Sequence, residues 1–312
     1  MTTVLTHDGL RLHATAYGPA DADVTVLLAH CWTADEQLWH YQVASLLSRE
    51  VPGHPGARVR VVTWDARAHG RSEVPDEAAC TITDLARDLG AVADALAPAG
   101  PLVLAGHSIG GMTLMALPDV RPDLVDRAAG LLLVATSAGH LGAGIDRLAA
   151  RLPGGEHLVD RLPAVLGHRA RRLSARAGVR RRSPRVEQAV VDRMLVGSPV
   201  RPRDAGLIAD QLAAASPATM AGFVRDLRLH DREHLLRAWD AVPTVVLVGT
   251  ADRLTPLSHG RRLASGIRGA RLLVLPGAGH YLPLERDAVV SEQLAALVDA
   301  AVRSAVTEPA PA

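Results

Sequence analysis

Three residues able to pass a proton among themselves sit just past apolar runs of this 312-residue chain. Ser108 lies in Gly106-His107-Ser108-Ile109-Gly110, after apolar 101–105 and before a helix-like stretch over 112–117. A strand turning sharply into a helix through Gly-x-Ser-x-Gly needs its glycines because side chains there would strike neighbouring backbone. The turn lifts the serine hydroxyl to a helix N-terminus, where developing negative charge is favoured. The alternative is a tight turn carrying an idle serine.

A serine hydroxyl is a weak nucleophile and needs a base and an acid to orient that base. Downstream, apolar 245–249 runs into Asp252, and apolar 272–275 runs into Pro276-Gly277-Ala278-Gly279-His280. Both residues fall just past a strand's carboxyl end, the edge where open parallel sheets place their chemistry. Taken singly, Asp252 could cap a helix and His280 could be a loop residue. In the order Ser, Asp, His they form a candidate triad. An acyl-transfer intermediate also needs two oxyanion donors. The backbone N–H of Ile109 is the first candidate, and that of Trp32, in His30-Cys31-Trp32-Thr33-Ala34, is the second.

The elements that must hold these residues read as an alternation. Apolar runs at 24–30, 59–65, 102–106, 131–135, 245–249 and 272–275 predict buried strands. Amphipathic stretches at 36–48, 82–96, 112–117, 257–267 and 288–302 predict helices between them. Such alternation implies a mostly parallel sheet with helices on both faces. The segment 10–17 alternates and suits an antiparallel edge hairpin. From 139 to 240 the alternation stops, and helical patterns at 147–152, 186–196, 204–214 and 217–229 predict an insertion above the sheet. The last residues, 307–312, read as a frayed tail.

Composition bounds the function. A net charge of +1 excludes a strong electrostatic pull toward nucleic acid or an anionic membrane. Two cysteines cannot build a disulfide framework, and the absence of a leader-like or long apolar run predicts a cytoplasmic protein. All 34 basic residues are arginine, with a cluster over 169–185. That cluster reads as a solvated helix face, with an anion-recognition role as the alternative. His230 and His234 have ligand spacing but no third partner, so no metal and no cofactor are expected.

The chain resembles the α/β-hydrolase superfamily, in its capped serine esterase and haloperoxidase-like branch. The resemblance rests on His30-x-Trp32 with Trp39, Asp65-x-Arg67-x-His69-Gly70-x-Ser72, Gly106-His107-Ser108-Ile109-Gly110-Gly111, Gly249-x-x-Asp252-x-x-x-Pro256 and Gly277-x-Gly279-His280. It implies an eight-stranded, mostly parallel sheet with helices on both faces and a helical cap. The core would comprise 1–138 and 241–306 and the cap 139–240. It implies Ser108 as nucleophile, His280 as base and Asp252 as its orienting acid. Asp65, Arg67 and His69 are scaffold in such proteins. Dehalogenases and epoxide hydrolases of the branch carry aspartate at the elbow, and epoxide hydrolases grip substrate with cap tyrosines. Serine at 108, and an insertion without tyrosine, favour attack on a carbonyl carbon instead. Two departures stand out: Cys31 and Ala68 occupy positions where relatives usually carry glycine. Cys31 puts the oxyanion loop's shape in question, whereas Ala68 carries little weight.

The reading is thus a cofactor-free serine hydrolase for an ester, lactone or thioester. Trp32, Cys31, His107, Phe223 and Tyr281 are its candidate substrate contacts. The partner is a small acyl substrate, and a carrier protein stays open. Acyl transfer or macrocycle formation by the same triad is the second reading. A non-catalytic binder or non-hydrolytic cyclase is the third.

Overall fold

The computed structural model describes residues 1–141, 195–215 and 217–307. Eight strands form one sheet: β1 (Thr2–Leu5), β2 (Arg11–Tyr17), β3 (Val24–Ala29), β4 (Val59–Trp64), β5 (Leu102–His107), β6 (Ala128–Val134), β7 (Thr244–Gly249) and β8 (Arg271–Leu275). They lie in the order β1-β2-β4-β3-β5-β6-β7-β8. β2 pairs antiparallel with β1 and β4, which makes the expected edge hairpin, and every later pairing is parallel.

Alternating side chains of the central strands feed two core layers. Leu27, Leu102, Leu104, Leu131 and Leu133 belong to one, with the helices Ile82–Leu96 and Ile109–Met115. Val26, Leu28, Val103, Ala105, Leu132 and Val134 belong to the other, with His40–Leu47 and Asp287–Thr307. Covered on both faces, these strands can be apolar throughout, which is why they read as runs. Helix Ile82–Leu96 begins where Thr81 accepts the Asp84 N–H at 3.0 Å and donates its hydroxyl to the Asp84 carboxylate at 2.6 Å. That arrangement satisfies a donor the helix itself leaves orphaned. The stretch read as one helix over 36–48 is split: a 3₁₀ turn, Glu36–Trp39, precedes His40–Leu47. Asp35 caps that turn through Gln37 N.

Between β6 and β7 the described residues form the helices Pro202–Ala214 and Pro217–Leu229 and a 3₁₀ segment, Glu233–Trp239. The helical pattern at 147–152, all of 186–196 but its last two residues, and the arginine cluster lie outside the described residues. Helix Pro202–Ala214 rests on one side of the molecule: Gln211 donates to Asp35 at 2.6 Å, and Tyr41 donates to the buried Asp204 at 3.0 Å. Helix Pro217–Leu229 rests on the other: Asp226 accepts the Ile82 N–H at 2.7 Å, and Phe223 lies 5.6 Å from the His69 ring. Among the described residues, no helix is long and apolar enough to cross a membrane.

Candidate active site

The register brings the ends of the parallel strands to one edge. Ala29 pairs with Gly106, His107 with Val134 and Gly249 with Leu275. Ser108, Ile109, Trp32, Asp252 and His280 lie just beyond those pairs, whereas Phe223 comes from the helix Pro217–Leu229.

Ser108 has φ 54° and ψ −117°, a conformation that L-residues avoid. Its neighbours force it there. A Cβ on Gly106 would stand 2.5 Å from the backbone of Gly110 and Gly111, and one on Gly110 would stand 2.3 Å from the Ala29 carbonyl oxygen. The elbow is therefore wedged between its own helix and β3, with the hydroxyl-bearing residue half-buried at the crest. Helix Ile109–Met115 starts directly after it. As first residue of that helix, Ile109 has no intrahelical acceptor for its N–H.

Asp252 follows β7 and is 5% exposed. One carboxylate oxygen accepts the Leu254 and Thr255 N–H groups at 2.8 and 2.9 Å. The other accepts the Thr255 hydroxyl at 2.7 Å and His280 Nδ1 at 2.9 Å. Burial opposes its ionisation, but the facing imidazole and these donors outweigh burial and hold its pKa below the ordinary value of 3.8. An ionised carboxylate only accepts, so Nδ1 of His280 carries the proton and Nε2 keeps its lone pair. Asp252 therefore shapes its own turn and orients the imidazole at once.

His280 is delivered to the elbow by His107. The His107 ring lies 4.9 Å from the His280 ring, and its Nε2 donates to the His280 carbonyl at 2.7 Å. Burial pushes the His107 pKa well down, so it stays neutral. Among the described residues, Asp252 and His280 are hydrogen-bonded, whereas Ser108 Oγ makes no hydrogen bond to the imidazole. Such contacts are often long in unliganded sites and tighten around substrate.

The loop after β3 is set by an imidazole. His30 Nε2 accepts the Ala66 N–H at 2.9 Å, so its proton sits on Nδ1 and goes to the Cys31 carbonyl at 2.8 Å. Among the described residues no peptide bond is cis. In a planar trans peptide the C=O and N–H point in opposite directions. Tying down the Cys31 carbonyl thus aims the Trp32 N–H away from His30. Cys31 does not occupy the left-handed region; Thr33 does, at φ 64°. The glycine-like conformation expected at 31 therefore falls two residues later. Cys31 is buried among apolar side chains, bonded to the Tyr281 side chain, with its thiol pushed up to about 12 by burial. Ala68, by contrast, does stand at φ 64°. Of the two departures, only the lightly weighed one costs the backbone anything.

Of the five substrate-contact candidates, Trp32 is half-buried, while Cys31, His107, Phe223 and Tyr281 are buried. Asp65, Arg67 and His69 are engaged within the protein. Asp65 accepts the Glu36 and Arg71 N–H groups, Arg67 bonds both oxygens of Asp88 at 2.6 Å, and His69 Nδ1 donates to the Arg67 carbonyl at 2.8 Å. His230 Nε2 bonds the Ser137 carbonyl at 2.9 Å, a structural contact. Among the described residues, one trio has metal-ligand proximity, His7, Asp8 and Asp88. Arg67 already neutralises its two carboxylates. Sequence reasoning missed Thr255 and Glu285. Thr255 follows Asp252 by three residues, an ordinary turn spacing, and Glu285 reads as an acid opening a helix.

A profile of the alpha/beta hydrolase family matches residues 26–293. The Variovorax paradoxus protein RutD, provisionally named a carbamate hydrolase, is 29% identical over 293 residues, covering 91% of this chain and 94% of its own. An esterase from Exiguobacterium antarcticum superposes with a TM-score of 0.73 at 19% identity, over 95% of this chain and 98% of that one. The enol-lactonase from Burkholderia xenovorans LB400 superposes with a TM-score of 0.66 at 23% identity, over 95% and 99%.

Proposed function

The chain belongs to the alpha/beta hydrolase family and is a hydrolase, and on that premise we propose that it cleaves an ester, lactone or thioester through an acyl-enzyme on Ser108. The observation that carries the proposal is the pair Asp252–His280, joined at 2.9 Å and tied to His107, the residue next to Ser108.

In this reading Ser108 Oγ attacks the carbonyl carbon while His280 Nε2 takes its proton. Asp252 holds the tautomer and stabilises the imidazolium. The oxyanion rests on the N–H groups of Trp32 and Ile109. The tetrahedral intermediate collapses as His280 returns the proton to the leaving oxygen or sulfur, and the acyl group stays on Ser108. Water, deprotonated by His280, attacks the acyl carbon and the same steps free the acid. The segment 139–240 is assigned as the insertion that shapes the entrance. Trp32 forms its wall, while Cys31, His107, Phe223 and Tyr281 act from behind.

The test is a fluorophosphonate probe with a panel of short esters, long esters, lactones, thioesters and carbamates. Ser108→Ala is expected to lose labelling and turnover, and His280→Ala to keep its fold while losing turnover. Labelling that survives in Ser108→Ala overturns the nucleophile. Turnover of simple esters by the wild type separates hydrolysis from the non-catalytic reading.

A further inference from the structure

Glu285 closes the short helix Leu282–Glu285, five residues past His280, and is 9% exposed. Its side chain accepts from two directions. Oε1 takes the Tyr281 N–H at 3.1 Å, and Oε2 takes the Gly279 N–H at 2.8 Å. Those two residues are the neighbours of His280 on either side. Oε2 also takes the Gly197 N–H at 2.9 Å, the Ser198 N–H at 3.1 Å and the Ser198 hydroxyl at 3.2 Å.

The backbone of His280 itself is tied at both ends. Its N–H donates to the Leu195 carbonyl at 2.9 Å, and its carbonyl accepts from His107. The two loops touch main chain to main chain: a Cβ on Gly279 would stand 2.2 Å from Gly197 N, and one on Gly197 would stand 2.5 Å from Gly279 N. The Arg286 guanidinium donates to Ser198 Oγ at 2.8 Å from the same side. None of these groups is Ser108, Asp252 or an oxyanion donor.

We propose that Glu285 is the positioning residue of His280, and that through Gly197 and Ser198 it makes the placing of the imidazole depend on the docking of the 195–198 segment. The proposal rests on His280 being the base. A carboxylate suits the task because both oxygens only accept, and every partner here is a donor. An amide of the same shape turns one end into a donor facing donors. An aspartate is one methylene too short to reach both flanks of His280. The dependence is specific: a segment of the 139–240 insertion is in contact with the loop that carries the proton acceptor.

The experiment uses full-length Glu285→Gln and Gly197→Ala beside His280→Ala. Its readouts are steady-state ester hydrolysis, hydrogen exchange at the amides of 279–281, and circular dichroism to verify folding. Glu285→Gln is expected to lower kcat about 10- to 100-fold, the scale of a misplaced catalytic group, with KM within about twofold. Its amides at Gly279 and Tyr281 exchange faster. Gly197→Ala keeps the carboxylate and the triad and is expected to lower kcat in the same direction with the same amides loosened. A folded Glu285→Gln with kcat within about twofold of wild type overturns the positioning role. An unchanged Gly197→Ala overturns the dependence on 195–198. If Glu285→Gln does not fold, Gly197→Ala alone decides. Activity surviving in His280→Ala overturns the base assignment instead, which keeps the two failures apart.

Discussion

Two loops flank the elbow, and they are held differently. The loop of His280 ends its amides on carboxylates and carbonyls: Asp252 takes the ring, Glu285 takes both neighbouring N–H groups, and Leu195 takes the residue's own. The loop of Trp32 hangs from a neutral imidazole, His30, and passes through a left-handed Thr33. On its far side lies a second neutral imidazole, His69, 5.2 Å from His30 and pushed down to about 3 by burial and by His30. One loop is fixed by anions that welcome charge nearby; the other is fixed by groups that must stay uncharged. The same elbow is thus served by a side that tolerates acid and a side that does not.

The largest test of this contrast removes the carboxylate behind His280, the proposed base. Asp252→Asn is expected to lower kcat by about 10⁴-fold, because an amide at that place permits the wrong tautomer. An effect below tenfold would mean that Thr255 and the main chain orient His280 without it. Next, His30→Ala frees the Cys31 carbonyl and lets the Trp32 N–H turn. We expect kcat to fall about 10- to 100-fold while phosphonate labelling of Ser108 persists, since a misdirected oxyanion donor is less damaging than a missing base. Equal losses in the two variants would erase the contrast.

Acid stability sharpens it further. The folded pKa of His69, about 3, lies below its unfolded value of 6.5. The unfolded chain therefore binds the proton first, and stability falls as pH drops from about 6.5 toward 3, with no loss above that window. Moving from pH 7 to pH 5 costs about 2 kcal/mol through this one group. His230, lowered to about 4 by burial, adds in the same direction. Asp252 acts in the same direction but in a lower window: its contribution is whole above the ordinary 3.8 and is lost only as pH falls below it. Urea midpoints at the two pH values should differ less in His69→Gln than in wild type. An identical pH dependence would remove His69 from the account. The smallest effect belongs to Ala68→Gly, expected to stabilise by about 1 kcal/mol by relieving a left-handed alanine. Thermal melts check it, and a destabilised variant would contradict the backbone reading.

The strands were legible because burial on both faces leaves continuous apolar runs, as at Leu102–His107. The elbow was legible because backbone crowding demands glycine at fixed places. The placement of Asp252 and His280, each past the end of a strand and hydrogen-bonded to the other, was legible from position. The split at Trp39 was not, since a 3₁₀ turn and an α-helix share much the same apolar spacing over four residues. Glu285 was hidden for another reason. Two of its partners, Gly197 and Ser198, come from more than eighty residues earlier, and no local pattern announces a carboxylate that folding will bury beside four backbone N–H groups. Cys31 left the loop's shape in question, and the left-handed residue of that loop is Thr33, while Ala68 is left-handed in its own turn.

Consider finally Gly110 against the Ala29 and His30 carbonyls, at 2.3 and 2.8 Å for an added Cβ. This contact sets the separation of helix Ile109–Met115 from β3 by main chain alone. No side-chain exchange elsewhere can lengthen or shorten it gradually; a change at Gly110 breaks it outright. Over evolutionary time the spacing of the elbow from the loop after β3 is therefore a constant of the architecture, and if the proposed roles hold, so is that of the reacting groups. Adaptation to a new leaving group, in nature or by directed selection, has to accumulate at wall positions such as Trp32 and along the inserted segment, with the elbow glycines left untouched.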